Sequence, residues 1–315
     1  MLPKNTQHLL AQITVIIATK NRTNQLHECL RAIKENTYKD FEIILVDQGE
    51  NRITQAKIQE FQFKRVTHIV HQSGGKTAAL NVAISKAQGA ILAFTDDDCI
   101  VTPLWLESIV KNFRTDLNIS AIFGKTKPYD PQNHRDKICP SLFLHNTRTL
   151  ITKPSLHYKN IGFGNNMAVR AHVFKTTGLF MEWLGPGSIG SNAEDAELAL
   201  RLLICGQSIL YDPKVLVYHN KWLTSKQMSI QELSYVCGEM ACYGYFYFLG
   251  YSFSKEVIRA PFRRFWRATN RKILRIGTQE SFLYELRHIT TSIFGLFVGW
   301  YFAKFAMKKL QCSNL

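Results

Sequence analysis

Apolar and polar positions keep two rhythms over the first hundred residues, one of strands and one of helices. Ile13-Thr14-Val15-Ile16-Ile17-Ala18 is a β-rich apolar run, and Leu26, Leu30 and Ile33 then recur at helical spacing behind Thr23 as a predicted cap. Phe41 to Val46 predicts a second strand that ends at Asp47-Gln48-Gly49. A helix near Ile53 to Phe61 and a strand from Val66 to Val70 follow. Ser73-Gly74-Gly75 opens a helix through Ala78, Leu80, Val82 and Ile84, closed by Gly89, and Ala90 to Phe94 is the next strand. Strand and helix alternate four times, which argues for an α/β fold: a Rossmann-like, mostly parallel sheet with helices on both faces. Ligands of such sheets bind beyond the carboxyl ends of the strands. Asp47, Gly74-Gly75 and Asp96-Asp97-Asp98 all fall at such ends.

The acidic triplet fits two readings. Three carboxylates at the end of a buried strand suit a hard divalent cation, Mg²⁺ or Mn²⁺, with room left for substrate phosphates. They also suit a solvated turn before a helix that starts near Pro103 with Thr102 as its cap. Two phosphate motifs are excluded. Gly75-Lys76-Thr77 resembles the end of a P-loop, but Val70 stands where that motif needs glycine. No G-x-G-x-x-G follows the first strand either, so a dinucleotide-binding Rossmann domain is excluded by the same test.

Composition narrows the setting. A hydrophobic content of 46% over 315 residues excludes general disorder and allows one large domain or two. The net charge of +15 is uneven, with 13 Lys/Arg against 5 Asp/Glu from Lys226 onward. Such surfaces bind nucleic acid, anionic lipid or phosphorylated ligands. The seven cysteines are scattered and show no CxxC pair, which fits a reducing cytoplasm better than a disulfide framework or a zinc site. Met1 to Gln12 is polar and lacks the apolar core of a signal peptide, so a cytosolic location is expected.

Several stretches together resemble family 2 glycosyltransferases, in that family's order and spacing. They are Val15 to Arg22, Ile44-Leu45-Val46-Asp47, Gly75 to Asn81, Thr95-Asp96-Asp97-Asp98, Gly162 to Arg170 and Ala193 to Leu198. The resemblance covers roughly residues 12 to 222. It implies a GT-A fold and, in the inverting class, transfer of a sugar from a nucleoside diphosphate donor to an acceptor.

It also implies site roles. Asp98 would ligate the metal and Asp96 would face the nucleotide, with Asp97 one register step away as a rival. Thr19, Arg22 and Asp47 would contact the nucleotide, and Gln48 replaces a usual second Asp. Lys76 opens a helix, whose N-terminal N–H groups suit a phosphate. For Asp47 the plain alternative is a turn residue, and for Lys76 a solvated first-turn side chain. Gly164, Asn165 and Asn166 would line the donor sugar and acceptor, or form a turn with an Asn cap. Gly185-Pro186-Gly187-Ser188 could close over the acceptor. A late histidine completes the metal shell in some GT-A enzymes, which makes His219 a second candidate ligand beside its structural reading.

The Glu194-Asp195 pair would supply the base. Ser191-x-x-Glu194 matches a capping box, which gives Glu194 a structural task. Asp195 shares a helix face with Leu198, Ala199 and Leu202, so it is predicted to face the interior with a raised pKa and is preferred as the base. No Q-x-x-R-W follows His219-Asn220-Lys221-Trp222, which favours single sugar transfer over processive synthesis.

From residue 226 the composition changes. Eight basic residues between Lys255 and Arg275 are interleaved with Phe262, Phe265 and Trp266, a pattern of interfacial helices on anionic lipid. Ile289 to Ala303 is uncharged over 15 residues, about 22 Å of helix and short of a roughly 30 Å bilayer core. A helical hairpin packed on the catalytic domain is the plain alternative, and no nucleic-acid recognition motif is present. The expectation is a catalytic domain over 1–225 and a helical, membrane-associating extension over 226–315. The whole would be an inverting, Mn²⁺- or Mg²⁺-dependent glycosyltransferase at the inner face of the cell membrane. It would use a UDP- or dTDP-sugar and a lipid-linked or glycan acceptor in cell-surface polysaccharide or glycolipid synthesis, with no nucleic-acid partner. The rival is a catalytically silent GT-A-like binding partner.

Overall fold

Alternate residues of the first strand point into two different cores, and this places the sheet in the middle of the molecule. In a computed structural model, which describes residues 13–49, 51–72, 74–154, 161–273 and 279–306, β1 is Ile13–Thr19. Val15 and Ile17 join Leu26, Leu30 and Ile33 of α1 (Thr23–Lys34) on one face, while Ile16 joins Leu80 and Ala83 of α3 (Lys76–Lys86) on the other. Each such side chain taken out of water contributes about 1.5–3 kcal/mol, so a strand apolar on both faces is stable only at the centre. The polar amino terminus through Gln12, Ser73 of the glycine turn, and Leu274-Arg275 of the basic run lie outside the described residues.

The first four strands follow the predicted order. β2 (Phe41–Asp47) pairs in parallel with β1 and with β3 (Val66–Val70), and β1 pairs in parallel with β4 (Ile91–Thr95). Helix α2 (Asn51–Glu60) links β2 to β3. Beyond β4 the sheet is not parallel. β8 (Asn166–Arg170) runs antiparallel to both β4 and β6 (Ile119–Pro128). The long β9 (Ser208–His219) runs parallel to β6 and antiparallel to β5 (Cys99–Val101) and β7 (Thr149–Ile151). The strand order 3-2-1-4-8-6-9-5 is therefore that of a mixed sheet, which corrects the mostly parallel expectation. The alternation that signals parallel pairing stops at β4, and the later strands meet across long loops.

Helix α4 (Trp105–Thr115) starts later than expected, and the Thr102 hydroxyl bonds the Leu216 carbonyl instead of capping it. After α5 (Ala171–Thr177), α6 (Glu194–Ile204) carries the acidic pair. The expected capping box is absent: Ser191 and Ala193 sit at φ 62° and 72°, and no side chain caps α6. Left-handed non-glycine residues cost about 1–2 kcal/mol each, so the packing around this loop must hold it in place. Nor does α6 have one buried face. Glu197 and Arg201 are also buried, as an ion pair in which Arg201 Nε donates to Glu197 at 2.8 Å.

The last three helices are α7 (Ser225–Phe248), α8 (Lys255–Ile273) and α9 (Gln279–Phe305). Helix α7 begins with a capping box between Thr224 and Gln227. A third core joins Leu184, in the loop before α6, and Leu200 of α6 to Tyr243 and Phe246 of α7 and Val298 of α9. No helix among the described residues is long and apolar enough to cross a membrane.

Candidate active site

β1, β2 and β4 end side by side, because the register pairs Ile16 with Phe94 and Thr19 with Asp47. That alignment brings separate stretches of sequence to one sheet edge. The Thr19 hydroxyl donates to Asp97 Oδ2 at 2.7 Å, and Arg22 Nη1 reaches Asp97 Oδ1 at 3.1 Å and Asp98 Oδ2 at 2.9 Å. Burial pushes the Asp97 carboxyl up to about 6, with Arg22 opposing the shift. Asp96 turns the other way and meets Lys76 Nζ at 2.5 Å. The triplet is thus divided: Asp97 on the side of Thr19 and Arg22, Asp96 on the side of Lys76.

Asp47 is fully buried at the end of β2. Its Oδ1 accepts from the Gly49 N–H at 2.8 Å, while Oδ2 has no hydrogen-bond partner and lies 3.6 Å from His68 Nε2. Gln48 donates to the Gly74 and Gly75 carbonyls at 3.0 and 3.2 Å, so it ties the glycine turn to the end of β2. Lys76 is the first residue of α3, yet its N–H is already given to the Pro186 carbonyl at 2.9 Å. The Lys76 ammonium, rather than its backbone, is what faces the cleft. Burial alone would lower its pKa, but Asp96 and Glu194 outweigh that and raise it.

The short β5 pairs Cys99 with His219 of β9, and this register puts His219 beside Asp98. Asp98 Oδ1 lies 3.3 Å from His219 Nε2, is buried, and has no hydrogen-bond partner. His219 Nδ1 is 2.8 Å from the Pro140 carbonyl and donates to it, so the ring turns Nε2 toward Asp98 and, in its neutral form, would offer that nitrogen's lone pair to a cation beside the carboxylate. Cys99 Sγ lies within 4.8 Å of both ligand atoms. Burial, then the charge of Asp98, pushes that thiol well up, and a protonated thiol is a poor ligand for a hard cation. An orphaned carboxylate oxygen and an oriented imidazole fit Mn²⁺ or Mg²⁺ with Asp98 and His219 as ligands. Without a cation the two form an ion pair: the His219 field, with Arg22, overcomes burial and holds Asp98 low, while Asp98 raises His219.

Across a small cleft lined by Lys76, Asp96 and Gly164 stand Glu194 and Asp195. Burial raises both carboxyls. Glu194 reaches about 7 against the pull of Lys76, whose Nζ is 3.7 Å away. Asp195 is less buried than Glu194. It accepts the Gly164 N–H at 2.6 Å and the Ala196 N–H at 2.7 Å. A Cβ on Gly164 would lie 3.0 Å from Asp195 Cβ, so glycine is what lets the backbone hold this carboxylate. Gly185 packs against Thr77 and Glu194, and Gly187 against Gly75, which closes the 185–188 loop onto the start of α3.

Asn165 and Asn166 separate sharply. Asn165 Oδ1 accepts from Thr126 at 3.1 Å, and its buried Nδ2 has no partner. Asn166 does not line the cleft. It accepts from Trp105 Nε1 at 2.9 Å and donates to the Lys125 and Val215 carbonyls at 2.9 Å, which uses all its polar hydrogens inside the sheet. Asn166→Ala strands those three groups at about 1–3 kcal/mol each. We expect a loss of more than about 3 kcal/mol in a urea melt with no selective effect on donor KM. A donor-specific KM defect at full stability would return Asn166 to the site. Sequence reading misses His68 and the Pro140 carbonyl, and gives Gln48 only as the replacement of an Asp. His68 is a polar residue with no spacing signal, and a backbone carbonyl leaves none.

The sequence matches the family description Glycosyl transferase family 2 over residues 14–177. Glycosyltransferase AglE of Haloferax volcanii is 25% identical over 212 residues, 66% of this chain and 66% of that protein. Hyaluronan synthase of Pasteurella multocida is 25% identical over 256 residues, 80% of this chain and 24% of the synthase. Glycosyltransferase GlyA of Streptococcus pneumoniae is 30% identical over 102 residues, 32% of this chain and 15% of GlyA. The chain therefore spans from 15% to 66% of the length of these relatives. Mannosyltransferase PcManGT from Pyrobaculum calidifontis, solved with GDP-Man and Mn²⁺, superposes with TM-score 0.57 at 17% identity, over 94% of this chain and 76% of that one. S. aureus TarS 1-349 does so with TM-score 0.58 at 15% identity, over 94% and 92%. At such identities these two show the fold alone. The family match spans more than half of the sequence, and the chain belongs to glycosyl transferase family 2.

Proposed function

We propose that this protein transfers a single sugar, with inversion, from a nucleoside diphosphate sugar to a hydroxyl of a lipid-linked or glycan acceptor. UDP- and dTDP-sugars are the first donors to test. The observation that carries the reading is the pairing of the orphaned Asp98 Oδ1 with His219 on one side of the sheet edge and a raised carboxylate, Asp195, on the other.

In this reading Thr19, Asp47 and Asp97 meet the nucleoside, and Arg22 and Lys76 meet the diphosphate. Asp96, held by Lys76, faces the nucleotide, and Gly164 with Asn165 borders the donor sugar and the acceptor. Asp98 and His219 would hold Mn²⁺ or Mg²⁺, which would supply positive charge against the leaving diphosphate. The acceptor oxygen attacks the anomeric carbon, the carbon–oxygen bond to phosphate breaks, and Asp195 takes the acceptor proton. Asp195 is the base rather than Glu194 because Glu194 is the more buried and is held by Lys76. Two backbone N–H groups aim Asp195 and keep its anion accessible despite burial. The acceptor is proposed to be met at the cytoplasmic face of a membrane, in synthesis of cell-surface glycans.

The test is a panel of nucleoside diphosphates and their sugars, with and without Mn²⁺, read by thermal shift and calorimetry. A ligand at a hundred times its Kd stabilises the fold by about 2.7 kcal/mol, a clear rise in Tm. We expect that rise for one base and only with the metal present. If no nucleoside diphosphate binds with Mn²⁺, the catalytically silent reading replaces this one.

A further inference from the structure

Helix α9 is built inside out for a water-soluble helix. Its small residues face the protein: a Cβ on Gly295 would lie 2.5 Å from the Cys237 carbonyl, and one on Gly299 would collide with the Ala241 carbonyl of α7. Gly244 of α7 returns the contact against Leu296. The large residues face outward. Ile293, Phe294, Phe297, Tyr301 and Phe305 are 53%, 49%, 58%, 46% and 61% exposed, and Trp300 is 39%. Their spacing of three and four keeps them on one stripe. A helix pair in water buries its aromatics; close glycine packing with aromatics outward is the arrangement of helices that meet lipid. An apolar stripe of this kind on a soluble monomer marks an interaction surface.

The neighbouring α8 says what that surface meets. Phe262 and Trp266 are exposed at 41% and 67%, on the same outward positions as Arg259, Arg263 and Arg267. Arg264 meanwhile pairs with Glu285 at 3.3 Å and fastens α8 to α9. At the end of α9, Lys304 Nζ lies 5.5 Å from the centre of the outward Trp300 ring. Tryptophan and phenylalanine flanked by arginine and lysine match the headgroup layer of an anionic bilayer. A second copy of this chain would bring its own arginines against these, in a protein whose net charge is already +15. Spanning is not the mode, since no described helix is long and apolar enough to cross.

We infer that the outward faces of α8 and α9 form a docking surface for anionic lipid, on which the protein lies without crossing. This deepens the membrane part of the proposed function and rests on the C-terminal helices, not on the transfer chemistry. The faces reach the cleft through packing. Trp183, in the loop before α6, stacks on Phe302 of α9 with centroids 4.5 Å apart and also meets Tyr245 of α7. The same loop gives the Pro186 carbonyl to Lys76, so the docked helices are braced against the acceptor side of the site.

The test is flotation of the full chain with phosphatidylcholine vesicles and with vesicles that also contain phosphatidylglycerol. Flotation is expected with the anionic vesicles, about tenfold weaker with the zwitterionic ones, and reduced at high salt. Phe297→Glu with Trp300→Glu should abolish it, and Trp266→Ser should weaken it. Both variants should retain the Mn²⁺-dependent nucleotide thermal shift, which certifies the fold. Absent flotation of the wild type, or equal flotation of the double variant, overturns the proposal. So does a concentration-dependent dimer, by light scattering, that the double variant dissolves, since a second copy would then own the surface. If nucleotide binding fails while flotation holds, the transfer reading falls and this one stands.

Discussion

Asp98→Asn loses transfer by at least about 10³-fold and loses Mn²⁺-dependent nucleotide binding, while the protein still folds. The fold survives because Arg22 keeps Asp97 at 3.1 Å, and His219, which Asp98 raises, can shed its proton when that carboxylate becomes neutral. An amide oxygen is a weaker ligand than a carboxylate for a hard cation, and it cannot balance the cation's charge. His219→Ala removes the second ligand and should shift the metal dependence to higher Mn²⁺ concentrations. Calorimetric titration of Mn²⁺ in the presence of the nucleoside diphosphate measures both variants. Wild-type metal affinity in Asp98→Asn would remove this residue from the metal site and leave its ion pairs with Arg22 and His219 as its whole task.

Asp195→Asn should lower kcat by about 10²–10⁴-fold, the range for a lost general base, with donor binding unchanged. The asparagine keeps the size of the side chain, but Asp195 accepts the Gly164 and Ala196 N–H groups on separate oxygens and the amide can keep only one of them, so a thermal melt of the variant accompanies the rate measurement. The pH profile separates Asp195 from its neighbour. Burial raises the Asp195 carboxyl, so its base form fills only as pH rises through that raised value, and kcat/KM falls on the acid side. Asp195→Asn should erase that acid limb. Glu194→Gln should keep it, because Glu194, raised to about 7 by burial, serves Lys76 and not the acceptor. A profile in which Glu194→Gln erases the limb and Asp195→Asn keeps it would exchange the two roles.

Much of this site is legible in the chain itself. Buried strands must be apolar on both faces, so the four β/α units stand out, and with them the strand ends where Thr19, Asp47 and Asp96 to Asp98 lie. Helix positions also follow, since the turn residues that bound them act locally: α3 begins one residue after Gly75. The basic, aromatic C-terminal region is visible as composition alone.

Local rhythm, family and the placement of charged residues along the chain are thus properties of the sequence. Which of those residues meet depends on the tertiary fold. The mixed half of the sheet needs pairings between strands far apart in sequence, and local periodicity holds no record of partner or direction. Asp98 and His219 are 3.3 Å apart only because β5 pairs with β9. Asn166 reads as a cleft residue by its motif, but β8 enters the sheet there and the core takes its amide. The buried face of α6 cannot be read from its pattern because Glu197 and Arg201 are buried as a pair, which a count of polar residues scores as exposed. The orientation of α9 is hidden for the same reason: a run of glycines and aromatics does not say which side packs until α7 supplies the groove.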